Sequence, residues 1–234
     1  MASNEIISNA LEIHSLTVRY GNTIALHQVN ASLKVGEMVA LVGYNGSGKS
    51  SLMKAILNLT PFEGRITAWG KPLSEVLSKV AYVPQRAAVD WKYPATVKDI
   101  VSMGRYQPGL FTQRTSSEDA KSVDSAIVQA GLQDLQHRMI GELSGGQQQR
   151  VFIARAMARQ ADLFLMDEPF AGVDMKTEDA IFDLLQSLQK QGKTLLIIHH
   201  QIDQVIKYFE QVWKLQEGKL ETGSVEAILG QRNK

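Results

Sequence analysis

The string Gly43-Tyr44-Asn45-Gly46-Ser47-Gly48-Lys49-Ser50 constrains this chain more than any other feature. It fits the pattern G-x-x-x-x-G-K-[ST]. Glycines let the backbone curl into a nest whose N–H groups converge on an anion. A helix beginning at the end of the loop adds its positive N-terminal end. Lys49 is placed to reach the β and γ phosphates of a nucleotide, and the Ser50 hydroxyl is a hard oxygen ligand for Mg²⁺. The flanks suit this reading. Met38–Val42 is a continuous apolar run, as in a strand buried on both faces. Ser51–Leu59 carries Leu52, Ala55, Ile56 and Leu59 at helical spacing and stops before Pro61.

Two downstream segments extend the chemistry. Leu163–Met166 reads as an apolar strand that ends in Asp167 and Glu168. Ligands of parallel sheets bind beyond the carboxyl ends of the strands. Asp167 is expected to hold Mg²⁺, directly or through water. Glu168 is expected to be the general base, or to position the water that attacks the γ-phosphate. Alone, two acids after a strand are commonly a solvated turn. With the phosphate loop upstream they complete a phosphoryl-transfer centre. Leu143-Ser144-Gly145-Gly146-Gln147 opens a helix over Gln147–Arg159. Ser144 is an N-cap type, and Gly145 and Gly146 permit close approach to an anion. The bland alternative is an ordinary capped helix. One nucleotide does not need two cradles in one subunit, so this second one is expected to serve the nucleotide of a partner subunit.

The rest of the pattern predicts an α/β fold with a helical insertion. Strands are expected over Leu11–Tyr20, Asn30–Val35, Arg65–Trp69, Val80–Val83 and Thr194–Ile198. A hairpin is expected over Val212–Thr222, about Glu217-Gly218. Helices are expected after the Thr96/Asp99 capping pattern, over Ser117–Ala130, Lys176–Gln191 and Gln201–Phe209, and after Ser224. Gln107–Ser117 reads as a polar surface loop.

Composition narrows the class. At 234 residues the chain is one large domain or two small ones. Twenty-five Lys and Arg against 24 Asp and Glu leave a formal charge of +1, so no chain-wide basic footprint exists and no nucleic-acid partner is expected. The lack of cysteine excludes disulfides, iron–sulfur ligation and thiolate zinc sites. The apolar runs fall far short of the ~20 residues of a spanning helix. Met1–Glu5 lacks the start of a signal peptide, so a soluble, intracellular chain is expected.

In order and spacing these motifs resemble the ATP-binding subunits of ABC transporters, from Leu11 to about Leu220. The resemblance implies a P-loop core with a parallel sheet, an antiparallel β subdomain and an α-helical subdomain. It implies one domain, with 1–85 and 160–234 as the nucleotide-binding core and 86–159 as the helical subdomain. Tyr20 matches the aromatic that stacks on adenine. Gly43, Asn45, Gly46, Ser47, Gly48, Lys49 and Ser50, followed by Ser51, match Walker A. Gln85 matches the Q-loop glutamine that senses Mg²⁺ and links to the membrane subunits. Ser144, Gly145, Gly146 and Gln147 lie in the signature motif, and Asp167 and Glu168 in Walker B. Asp174 matches the D-loop at a dimer interface, and His200 the switch histidine near the γ-phosphate. Gln201 departs from the pattern, since an acid usually stands there.

The family implies a head-to-tail dimer, here of two copies of this chain, with two ATP molecules between Walker A of one and the signature of the other. Closure and opening of that dimer drive membrane subunits between states. The segment Val83–Tyr106 is similar to its counterpart in bacterial manganese, zinc and iron importers. That implies integral-membrane permease subunits, an extracytoplasmic metal-binding protein, and a place at the cytoplasmic face of the membrane. Manganese is the first expectation for the cargo, then zinc, then iron. Trp91 and Tyr93 are either interface anchors or packing residues. The five histidines offer no metal-ligand spacing, because the adjacent His199 and His200 would point to opposite faces at a strand end.

Overall fold

Two long strands open the chain. The computed structural model describes residues 8–86, 91, 93–106 and 116–230. Strand β1 (Asn9–Tyr20) pairs antiparallel with β2 (Thr23–Lys34) through the Gly21-Asn22 turn. The second strand therefore begins at Thr23, seven residues before the expected Asn30. Its buried residues are Leu26, Val29 and Leu33, which do not alternate. A bulge explains this. Each strand carries two extra residues in the register, β1 near Ala10 and Ser15 and β2 near Ala25 and Gln28, with Ser15 and Gln28 both at φ 48°. The strands that follow are β3 (Met38–Val42), β4 (Glu63–Ala68), β5 (Lys71–Pro72), β6 (Val80–Val83), β7 (Leu163–Asp167), β8 (Thr194–Ile198), β9 (Gln211–Gln216) and β10 (Lys219–Ser224). The α-helices are α1 (Lys49–Ile56), α2 (Leu73–Val76), α3 (Val97–Ser102), α4 (Ser117–Gln129), α5 (Gly145–Ala158), α6 (Met175–Lys190), α7 (Ile202–Tyr208) and α8 (Val225–Leu229).

The chain forms two compact units, Met1–Leu77 with Gln189–Lys234, and Ser78–Leu188. In the first, β2-β1-β4-β5 is an antiparallel sheet. Beside it β3 pairs parallel with both β8 and β9, and β10 folds back antiparallel on β9. Every residue of β3 and β8 is buried, as their unbroken apolar runs require. Glu217 and Gly218 turn the β9–β10 hairpin with φ 49° and 73°, the left-handed pair of a tight hairpin turn. Helix α1 stops at Ile56 because Asn58 turns left-handed at φ 56°, so Leu59 is exposed rather than on the helix face expected for it.

In the second unit β6 and β7 pair parallel, and α3, α4 and α5 pack on one another. Three capping boxes start these helices, Thr96 with Asp99, Ser116 with Asp119, and Ser144 with Gln147. Residues 107–115 of the expected loop lie outside the described residues; Ser116 caps α4. The parallel strands, antiparallel sheet and helical cluster are the parts expected of an ABC ATPase.

Candidate nucleotide site

The phosphate loop leaves β3 at Gly43. A Cβ there would overlap the backbone oxygen of Leu215, so only glycine fits. Gly48 caps α1 in a left-handed conformation at φ 108°, and a Cβ would lie 2.7 Å from the backbone oxygen of Ala25. The loop is thus pinned by two neighbours. Lys49 is buried and donates from Nζ to the carbonyls of Gly43 (2.7 Å) and Tyr44 (3.0 Å). Its charge sits over the loop. Ser47 Oγ is buried in the same loop with no hydrogen-bond partner among the described residues, a polar atom that suits a bound phosphate oxygen. Asn45, Gly46 and Ser50 are exposed, and the first turn of α1 carries no acidic residue to compete for its positive end.

Tyr20 ends β1 half-exposed. Hydrogen bonds with Thr60 and Ser51 hold its hydroxyl below the ordinary tyrosine range. Thr60 and Ser51 therefore both hold the ring expected to be the adenine platform. Just past the end of β8, His199 is buried and His200 exposed, yet their ring centroids lie 6.0 Å apart with planes tilted by 52°, so the adjacent rings stay close rather than pointing to opposite faces as expected. The Gln201 backbone N–H donates to His199 Nδ1 at 3.2 Å. Gln201 itself is the N-cap of α7 and makes no side-chain cap bond, the bond an acid there could make.

Burial, then the charge of His200, lowers the His199 pKa to about 4. The unfolded chain titrates this group near the ordinary value of 6.5. Folding thus favours the neutral ring. That contribution is complete above pH 6.5 and is lost as pH falls toward 4, at up to about 1.4 kcal/mol per unit. Urea unfolding at pH 7 and pH 4.5 should show the parent losing more stability than His199→Gln. Equal losses would contradict the assignment.

The second unit holds the carboxylates. Asp167 closes β7, and the Tyr82 hydroxyl from neighbouring β6 hydrogen-bonds it. Burial, then the Asp167 charge, pushes the Tyr82 pKa up to about 12, which keeps it a proton donor to that carboxylate. Glu168 adopts a left-handed backbone at φ 49°. Its Oε2 accepts from Gln85 Nε2 at 2.7 Å. The expected base and the expected Q-loop glutamine are therefore in direct contact. Asp174 accepts from the N–H (3.1 Å) and Oγ1 (2.7 Å) of Thr177, which holds its carboxyl below the usual range.

Ser144 caps α5 as expected, with its N–H donating to Gln147 Oε1 at 2.9 Å. The signature glycines have close neighbours of their own. A Cβ on Gly146 would overlap Thr177 Cγ2, and one on Gly145 would lie 3.2 Å from the Arg86 guanidinium carbon. Gly146→Ala should therefore cost ~1–3 kcal/mol by overpacking. In a thermal melt Thr177→Ala, combined with it, should recover part of that loss. An unchanged melt for Gly146→Ala would refute the contact.

Sequence reasoning did not single out Tyr82, Arg86 or Thr177. Thr177 alone had a usable signal, since an Asp three residues before a Thr at a helix start is a capping pattern. Trp91 packs edge-on against Phe152 with ring centroids 5.3 Å apart, whereas Tyr93 is exposed. Residues 87–90 and 92 of the same segment lie outside the described residues.

A glycine nest at a helix start and paired carboxylates after an apolar strand are parts of the P-loop phosphoryl-transfer class. The comparisons narrow this. The ABC transporter family model matches residues 26–171, and the chain belongs to that family. It is 41% identical over 218 residues to the manganese transport system ATP-binding protein MntB of Halalkalibacterium halodurans, covering 93% of this chain and 87% of that one. It is 43% identical over 226 residues to the zinc transport system ATP-binding protein TroB of Treponema pallidum, covering 96% and 85%. It is 44% identical over 227 residues to the chelated iron transport system membrane protein YfeB of Yersinia pestis, covering 95% and 77%. Among solved structures, an ATP-binding cassette of an ABC transporter in its ADP conformation superposes with TM-score 0.84 at 26% identity, covering 94% of each chain. The cbiO1 protein of Clostridium perfringens, part of the ABC transporter complex cbiONQ, does so with TM-score 0.84 at 29% identity, covering 95% and 91%. Among the described residues no helix is long and apolar enough to cross a membrane.

Proposed function

We propose that this chain is the ATPase subunit of an importer for a transition-metal ion, with manganese the first candidate. Its 41–44% identity with manganese, zinc and iron transport-system relatives over nearly its whole length carries the metal-import reading, and the recurrence of manganese systems among its relatives puts that ion first. The zinc and iron relatives are as similar, so those ions are the runners-up. The working unit is two copies of this chain with integral-membrane permease subunits and an extracytoplasmic metal-binding protein. It sits at the cytoplasmic face of the bacterial cell membrane. The helical subdomain, 86–159, meets the permease.

Lys49 and the loop N–H groups hold the ATP phosphates, and Tyr20 stacks on the base. Ser144, Gly145, Gly146 and Gln147 engage the nucleotide held by the other copy, with Asp174 at the interface. Ser50, Asp167 and Gln85 supply oxygen donors, a set that suits Mg²⁺, and the ion offsets phosphate charge when bound. Glu168 takes the proton of the attacking water, oriented by Gln85, and His200 approaches the γ-phosphate. The chain has no cysteine and its five histidines offer no metal-ligand spacing, so we place the cargo ion on the other subunits.

Copurification tests the transport reading. A tagged chain extracted with mild detergent should bring down a multi-spanning membrane protein. Recovery of the chain without one would overturn it.

A further inference from the structure

Arg86 follows Gln85 and occupies a built position within the second unit. Its Nε donates to Gln148 Oε1 at 3.0 Å. Gln148 is 3% exposed, and its Nε2 donates to the Ile140 carbonyl at 3.1 Å. Both ends of this buried amide are therefore engaged, and its orientation is set. The guanidinium lies directly over Gly145, the first residue of α5, where a Cβ would meet its carbon, Nη1 and Nε at 3.2, 3.3 and 3.5 Å. The Trp91 ring stands under the same guanidinium at 5.6 Å, and Trp91 Nε1 donates to the Arg86 carbonyl at 3.0 Å. Trp91 in turn packs on Phe152 of α5. Arg86 and Trp91 are thus stapled to α5, the one at its start and the other two turns further on.

This staple joins the Gln85–Glu168 hydrogen bond to form one connected path. It runs from Glu168 to Gln85, along one peptide unit to Arg86, and through Gln148 and Gly145 to the start of α5. We propose that Arg86 is a positioning residue that sets the place of Ser144–Gln147 according to the state of the Glu168–Gln85 pair. The idea rests on the ATPase reading above. A guanidinium suits the task because its planar fork fixes direction as well as distance. A spatial chain of contacts is not coupling by itself, so the test measures coupling.

The experiment uses the full-length chain and three readouts: ATP affinity by a fluorescent nucleotide, kcat for hydrolysis, and a thermal melt. Arg86→Ala should bind ATP within about twofold of the parent, because Lys49 and its loop are untouched, while kcat falls about tenfold through a misplaced α5 start. Gln148→Met removes the other half of the pair. It should lower kcat by a similar factor, and the double variant should fall no further. Additive losses, or a parent-like kcat in Arg86→Ala, would overturn the proposal. If Arg86→Ala fails to melt cooperatively, Arg86→Gln, which keeps a shorter planar donor, is read in the same way. A parent chain that binds ATP and never hydrolyses it would sink the ATPase reading instead, so the two failures are distinguishable.

Discussion

Glu168→Gln should abolish most ATP hydrolysis, by at least ~100-fold, and leave a chain that elutes as a dimer only when ATP is present. The substitution is nearly isosteric. The glutamine side chain can still accept from Gln85 Nε2, so the 2.7 Å contact and the left-handed turn at φ 49° need not change. What disappears is the carboxylate that accepts a proton from water. The phosphate loop is untouched, so binding persists while turnover stops. The loss should appear in kcat with little change in ATP affinity. Gel filtration with and without ATP and Mg²⁺ reads the other half of the prediction. Lost turnover with no ATP-dependent dimer would contradict the shared-nucleotide arrangement. Near-parental turnover would remove Glu168 from the catalytic role.

Lys49→Ala should act on the opposite term. Lys49 Nζ is held by the Gly43 and Tyr44 carbonyls, so it both shapes the loop and supplies its charge. Hydrogen bonds to charged groups contribute about 1.5–3 kcal/mol each. Losing one to the phosphates should weaken ATP binding roughly 10- to 100-fold, and the loosened loop adds to the effect. A fluorescent nucleotide titration should show this as a raised Kd, and the ATP-dependent dimer should vanish. AMP, which lacks the β and γ phosphates, should bind both forms almost equally. Parental ATP affinity in Lys49→Ala would refute the placement of this side chain.

Chemistry carried by contiguous residues is legible in the amino-acid sequence. A phosphate nest needs glycines and a lysine within one loop, so Gly43–Ser50 stands out. The buried strands β3 and β8 show as unbroken apolar runs, and the caps at Thr96 and Ser144 as short local patterns. Features that depend on long-range packing are not legible in this way. The bulge at Gln28 hides the start of β2, because it breaks the alternation that marks a strand. The Tyr82–Asp167 and Arg86–Gln148 contacts join residues far apart in sequence, and neither residue type signals its partner. The signature glycines read as room for an anion, and they also give room to Thr177 and Arg86. One substitution there consequently tests packing and binding together, which is why Glu168 and Lys49 give cleaner answers.

The most direct test of the central claim is ATP hydrolysis by this chain reconstituted with the proposed permease and metal-binding protein, measured with manganese, zinc and iron in turn. The account predicts that the metal-loaded binding protein raises kcat, most with manganese, and that Glu168→Gln removes the whole response. Hydrolysis that is indifferent to all three metals would contradict a role in metal import.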